Sequence, residues 1–203
     1  DDGRYVSKSR LNKMLRKEYS LLEERLNKDN YKDTRYFAFA DTVATINYSK
    51  TTNGHGWMGL RFQLTPNGKP NDFIIHVLLK DNDAKLQQET IGIIGTNMMY
   101  ACFNESDPKE ILKQLYDNLS KDQVVIDLVE ISGPDFDNID NRLLSLTLVK
   151  ENMTDAVIFT PDGMNQQPSD ILHKKNIITI RGSFRPVTKV NIDMLERGLE
   201  KFK

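Results

Sequence analysis

The sequence contains a single cysteine, Cys102, among its 203 residues. One thiol excludes an internal disulfide framework and any zinc site built from several cysteines. Cys102 lies in the apolar stretch NMMYACF, where neither a base nor a cationic neighbour is visible, so a buried and inert thiol is predicted. A reducing compartment follows as the default, and the cytoplasm is the expected location.

Long hydrophobic runs are also missing. Apolar runs such as Ile93-Ile94 and Met98-Met99 extend over only a few residues, so no bilayer-spanning segment is predicted and no membrane association is expected. The opening residues, DDGRYVSKSR, have no apolar centre, and we therefore expect no export signal there.

An excess of charge of one sign is absent as well. The chain has 28 lysines and arginines against 29 aspartates and glutamates, a formal net charge of −1. This balance gives no reason to expect a nucleic acid partner. The motifs HExxH, GxGxxG and GxSxG and the P-loop are likewise absent.

The front half of the chain predicts one helix followed by strands. Apolar residues at steps of three and four predict an amphipathic helix over residues 9–28, with Ser9 as its N-cap. Strand-like runs follow at residues 36–47, 57–64 and 73–80. The turn sequence PNGKPND between the last two favours an antiparallel hairpin.

The back half alternates between the two types of element. Helices are predicted over residues 85–103, 108–120 and 191–202. Strands are predicted over residues 124–131, 156–160 and 177–180. Residues 142–150 fit either a helix or a strand, because their apolar positions satisfy both periods.

These elements predict an α/β (or α+β) fold, a mixed β-sheet with helices on its faces. The front half is expected to be antiparallel and the back half βαβ-like. Residues 1–203 are taken as one domain, with a weak sub-boundary near residues 104–108.

The segment NGHGWMGLR is the first candidate site. His55, between two glycines, fits a general acid, Trp57 a stacking platform, and Arg61 a partner for an anion. The alternative is structural, with the glycines in a turn, Trp57 in the core and Arg61 at the surface.

The aspartate loop, residues 132–141 (SGPDFDNIDN), follows a predicted strand and is the second candidate site. Ligands of α/β sheets bind beyond the carboxyl ends of strands. Its carboxylates fit either a metal such as magnesium or a ribose, and the alternative is a solvated loop that caps the next helix. The candidate residues are Ser132, Gly133, Asp135, Asp137 and Asp140.

The RGSFR loop, residues 181–185, is the third candidate site. Arg181, Ser183 and Arg185 fit a phosphate cradle of guanidinium groups and backbone N–H groups, and ordinary surface arginines are the alternative. Asp41 interrupts the apolar run FAFADTVA and is counted with His55 as a candidate catalytic residue. His76, inside FIIHVLL, is expected to be a hydrogen-bonded residue of the sheet.

Several stretches resemble an uncharacterised bacterial family of longer proteins: FAFADTVA, HGWMGLRFQ, DNRLLSLTLV, TPDG with QPSDILHKK, and RGSFRPVTKV. The resemblance spans most of residues 36–195 and implies that the chain corresponds to the amino-terminal part of such proteins. Family members carry the labels nicotinamide mononucleotide adenylyltransferase and TonB-dependent receptor. The first label implies an HxGH signature, and GHGWMG supplies only His55 of it.

Two alternative functions therefore follow from the sequence. In the first, the chain binds or acts on a nucleotide or another phosphorylated small molecule, with His55 as the acid, the arginines of the RGSFR loop as anion holders and the aspartates as ribose or magnesium ligands. In the second, it is a non-catalytic interaction or scaffold domain whose terminal helices dock a protein partner.

Overall fold

The computed structural model describes residues 5–26, 31–172 and 174–202. The chain forms two compact units, Asp1–Gln167 and Pro168–Lys203. Residues 104–108, the weak sub-boundary predicted above, connect two helices inside the first unit.

The first unit begins with helix α1, Lys8–Arg25. Its cap is Ser7, two residues before the predicted Ser9, because the Ser7 side chain accepts a hydrogen bond from the Arg10 N–H at 3.2 Å. The apolar stripe of the helix buries Leu11, Leu15 and Tyr19 against the sheet.

Four strands form one sheet in the order β1-β2-β3-β4, and every neighbouring pair is antiparallel. The strands are β1 (Phe37–Ala44), β2 (His55–Phe62), β3 (Asn71–Leu79) and β4 (Val124–Ser132). The combination of sheet and helices and the antiparallel front half are confirmed.

The predicted βαβ character of the back half is wrong. Two helices, α2 (Ala84–Asn104) and α3 (Pro108–Gln114), pack on each other between β3 and β4. A βαβ unit carries the chain back along a single crossover so that the next strand is parallel. A pair of helices instead returns the chain to the end of the sheet at which β3 stops, and β4 therefore runs antiparallel to β3.

Both faces of the sheet are covered. The larger core lies under α2, α3 and α4 (Asn141–Lys150) and contains Phe62, Phe73 and Met98. The smaller core lies under α1, hereafter the α1 face. Gly59 permits this second packing, because a Cβ there would lie 2.8 Å from Cδ1 of Leu15.

Residues 141–150, ambiguous in sequence, form the helix α4. The predicted strand at residues 156–160 shrinks to the two-residue strand β5 (Ile158–Phe159), which pairs with β6 (Asn165–Gln166).

The second unit contains helices α5 (Pro168–Leu172) and α6 (Lys189–Phe202). The predicted strand at residues 177–180 is wrong, since these residues have no strand partner and an isolated strand has no ladder to stabilise it. Ile178 and Ile180 instead line a cavity with residues of α6. Within the described ranges, no helix has both the length and the hydrophobicity needed to cross a bilayer.

Candidate functional site

Polar and aromatic side chains from three strands meet on the α1 face. This group, the histidine cluster, consists of His55, Trp57, His76, Asp127 and Gln167. Trp57 of β2 stands directly opposite His76 of β3, and their ring centroids are 4.9 Å apart. The ring of His55 lies 5.8 Å from that of His76. The antiparallel register therefore brings two of the three histidines of the sequence together.

Asp127 reaches the cluster through a β-bulge. His76 pairs with Leu128 and Val77 pairs with Ile126, so Asp127 has no residue opposite it on β3. A bulge adds one residue to one strand and changes the direction of the side chains beside it. Asp127 and Leu128 consequently both reach the α1 face, where Leu128 packs with Trp57.

Hydrogen bonds fix the protonation pattern of His76. Its Nδ1 lies 2.6 Å from Oδ1 of Asp127, and its Nε2 lies 3.0 Å from the amide nitrogen of Gln167. An amide nitrogen only donates, so Nε2 accepts and the ring proton resides on Nδ1, from which it is donated to the carboxylate. Asp127 thus orients the imidazole and leaves Nε2 as its basic atom.

The pair formed by His76 and Asp127 is shielded from water. His76 is 0% exposed and Asp127 is 3% exposed. Oδ2 of Asp127 is buried and accepts no hydrogen bond from a described residue, so the carboxylate keeps unused acceptor capacity. Only His55 and Gln167 in the cluster are partly exposed, and any small molecule would approach through these two side chains.

The other predicted residues of β2 have structural surroundings. Trp57 is 7% exposed and packs with Leu11 and Leu15, which favours its interpretation as a core residue. Arg61 donates from Nη1 to both carboxylate oxygens of Asp72, at 2.8 and 3.1 Å. Since Arg61 is six residues from His55, on the order of 20 Å along the strand, the two do not share a site.

Asp41 and His55 point to opposite faces of the sheet. Asp41 stands opposite Met58, which belongs to the larger core, whereas His55 belongs to the α1 face. Burial raises the pKa of the Asp41 carboxyl group. The structure therefore does not bring the two candidate catalytic residues together.

The aspartate loop is held by its own contacts. The Asn71 side chain donates to Oδ2 of Asp135 at 2.7 Å and accepts from the Asp135 N–H at 3.1 Å. Gly133 has a φ of 125°, and a Cβ there would lie 2.4 Å from the Asn71 side chain, so this close approach requires glycine.

The end of the loop caps α4. Asp140 accepts from the Arg142 N–H at 2.9 Å and pairs with the Arg142 guanidinium. These bonds lower the pKa of Asp140 to about 2. Ser132 and Asp137 are exposed. This geometry favours the interpretation as a solvated, helix-capping loop.

Residues 5–26, 31–172 and 174–202 contain no assembled set of ligands for the predicted metal site. No group of three or more histidines, cysteines, aspartates or glutamates lies close enough there to hold an ion. Cys102 is fully buried, and burial raises the pKa of its thiol, as expected of an inert cysteine.

The RGSFR loop belongs to the second unit. Arg181, Ser183 and Arg185 are exposed, and the loop does not follow a strand as predicted. Phe184 between them is partly buried, with its ring against Gly182.

Sequence reasoning singled out two members of the histidine cluster, His55 and Trp57, as site residues. His76 is hydrogen-bonded within the sheet as expected, but its partners Asp127 and Gln167 were not singled out. The signal that sequence reasoning passed over is the single carboxylate of Asp127 inside the apolar run VVIDLV. No protein-family model, curated protein or solved structure matches the chain.

Proposed function

We propose that the first unit binds a phosphorylated small molecule, such as a nucleotide, beside the histidine cluster and exchanges a proton with it. The observation that carries this proposal is the contact of His76 with Asp127 at 2.6 Å, with a second imidazole 5.8 Å away. A carboxylate that orients one imidazole beside another is a recurrent arrangement for general acid–base chemistry. The single buried thiol supports the cytoplasm as the proposed location, because cysteines stay reduced there.

Each side chain has a defined role in this proposal. Asp127 holds the proton of His76 on Nδ1, so that Nε2 of His76 accepts a proton once the Gln167 amide is replaced by the ligand. His55, partly exposed at the start of β2, contacts the ligand first and supplies a positive charge when protonated. The exposed arginines of the RGSFR loop, in the second unit, remain a separate proposed phosphate-binding site.

The test is a thermal-shift screen of the full chain against nucleotides, dinucleotides and sugar phosphates, with and without magnesium. The resemblance to proteins labelled adenylyltransferases places nicotinamide and adenine nucleotides first in the panel. A ligand present at about 100 times its Kd stabilises the folded state by about 2.7 kcal/mol, which moves the melting temperature by a few degrees.

Histidine variants localise the effect. His55→Gln should abolish the shift, whereas His173→Gln, at the third histidine and outside the described residues, should retain it. A shift that survives His55→Gln places the ligand elsewhere. A flat screen on folded protein contradicts the proposal.

An interaction domain is the second candidate function, and α6 favours it. The side chains of Val190, Ile192, Met194, Leu195, Leu199 and Phe202 are 42–66% exposed, so no side chain of α6 is buried. Two of them, Ile192 and Leu195, line an apolar cavity of about 330 Å³ together with Ile178, Ile180, Phe184 and Val187. The stripe of α1, by contrast, is buried against the sheet, so the expected terminal-helix partner would dock on α6 alone.

The apolar dye ANS provides a direct test of this surface. The full chain should bind the dye, and Ile192→Lys with Leu195→Lys should remove the binding while the urea midpoint stays unchanged, since both side chains are exposed. Unchanged dye binding in that variant would show that α6 is not the apolar surface in solution.

A further inference from the structure

The two edges of the sheet differ. At the β4 edge, the Asn141 side chain accepts from the Ile131 N–H at 2.8 Å and donates to the Ile131 carbonyl at 2.9 Å. The Asn165 amide donates to the Val129 carbonyl at 3.3 Å. Two asparagine side chains therefore occupy backbone groups to which another strand would bind.

The β1 edge has open backbone groups. The Gln63 N–H donates to the Tyr36 carbonyl at 3.1 Å, so Tyr36 and every second residue after it bond towards β2. The N–H and C=O groups of Phe37, Phe39, Asp41 and Val43 consequently face outwards. Apart from a contact of the Val43 N–H with the Asp41 carboxylate, these groups bond to no described residue.

The composition of β1 does not prevent pairing. Edge strands are commonly protected by lysine, proline or a bulge. The strand FAFADTVA has no lysine, arginine or proline, its register with β2 is continuous, and Asp41 is its single charge.

An apolar surface of α2 lies beside this edge. Gly95 sits under the ring of Phe39, and the ring of Phe103 lies 5.9 Å from that of Phe37. Met99 lies one turn from both and is 41% exposed, and Phe103 is 55% exposed. A strand that pairs with β1 would bring its own layer of side chains over these two residues.

Arg35 and Asp41 carry complementary charges six residues apart on one side of this edge. The Arg35 guanidinium donates to the carbonyls of Leu64 and Phe103 and stacks on the rings of Phe37 and Phe103. Neither Arg35 nor Asp41 forms an ion pair with another described residue.

We propose that β1 pairs with β1 of a second copy of this chain, antiparallel, about a two-fold axis at Ala38. In this register Arg35 of each copy stands opposite Asp41 of the other, and Phe37 opposite Phe39. The two-fold axis forms both ion pairs at once and brings the Met99–Phe103 surfaces of the two α2 helices together. A second copy satisfies all three features with one contact, because an antiparallel pair of identical edges is self-complementary.

A cysteine cross-link tests the register. Ala38 would face Ala38 of the second copy as a non-hydrogen-bonded pair with Cα atoms about 4.5 Å apart, a distance that a disulfide spans. Ala38→Cys should therefore form a covalent dimer under mild oxidation. Ala40→Cys is the matched control, since its two copies would be about 14 Å apart along the strands. The buried Cys102 stays in both variants.

Sedimentation of the reduced full chain tests the association itself and should show a dimer that dissociates on dilution. Arg35→Asp or Asp41→Arg alone should weaken the dimer by about tenfold, because each places two like-charged pairs across the axis. The double variant should restore it. Exchanging the exposed pair as Glu110→Lys with Lys113→Glu should have no effect.

Three outcomes would overturn the proposal. A chain that remains monomeric at all concentrations, a cross-link through Ala40→Cys rather than Ala38→Cys, or a double charge variant as weak as the single variants would each do so. These outcomes are independent of the nucleotide screen, which concerns the histidine cluster on the α1 face and not the β1 edge.

Discussion

Asp127 and His76 are almost completely removed from water, and each supplies a hydrogen-bond partner for the other. Asp127→Ala leaves the buried Nδ1–H of the imidazole without its acceptor and should lower the unfolding free energy by about 2 kcal/mol, the usual cost of an unsatisfied buried donor. Replacing both by leucine should cost less than Asp127→Ala alone, because no buried polar group then stays unsatisfied. Urea unfolding measures both values.

Lys113→Ala serves as the control for Asp127→Ala. Lys113 pairs with Glu110 at the surface, so the urea midpoint of this variant should not move. If the double leucine variant loses more unfolding free energy than Asp127→Ala, the pair stabilises the fold by more than the hydrogen bond that each residue provides for the other.

The pKa of Asp140 is lowered to about 2 by its hydrogen bonds to Arg142. A carboxyl group whose pKa is lower in the folded state stabilises the fold above its ordinary value of 3.8, and this stabilisation is lost as the pH falls towards about 2. Asp140→Asn should therefore be less stable than wild type at pH 7 and nearly equal to it at pH 2. Asparagine keeps the cap, so the difference reports the charge. An equal difference at both pH values would contradict this assignment.

At the scale of elements, Asn141 connects α4 to the edge of β4. Asn141→Ala removes both partners of the buried Ile131 backbone and should lower the unfolding free energy by about 2 kcal/mol. Asn104→Ala, which removes an exposed bond to Tyr100, should stay within about 0.5 kcal/mol of wild type. Chemical unfolding distinguishes the two, and equal losses would show that the Ile131 groups find other partners.

Apolar periodicity was sufficient to predict most of the longer elements of the first unit. It located α1, α2 and β1–β4 within a few residues, because each buries one stripe or one face. It predicted both helices before β4 but not the direction of that strand, because periodicity does not show that the two helices pack on each other and return the chain to the end of the sheet at which β3 stops. Periodicity also misassigned residues 177–180, since an apolar run forms a strand only where a partner edge exists.

The candidate site was predictable only in part, and for a related reason. His55 stood out through its glycine neighbours. Asp127 did not, because a bulge places it beside His76 and a bulge depends on the pairing of two strands. Arg61 and Asp140 resembled ligand-binding residues until their partners Asp72 and Arg142 were known.

At the scale of the whole molecule, the buried hydrophobic side chains of the described residues all precede residue 154. Helices α5 and α6 contribute none. A chain that ends at Gln167 should therefore keep the cooperative urea transition and the near-ultraviolet circular dichroism of the full chain. The loss of either signal would show that residues 168–203 belong to the folding unit.

The unequal edges also determine how far assembly can proceed. If both edges were open, each added copy would present a fresh edge, and the sheet would grow without limit into a fibre. Because Asn141 and Asn165 bond to backbone groups of the β4 edge, the sheet of each copy offers only its β1 edge to another strand. In the proposed dimer that edge is occupied in both copies. Growth stops after one addition, so two asparagine side chains would separate a finite particle from an amyloid-like polymer.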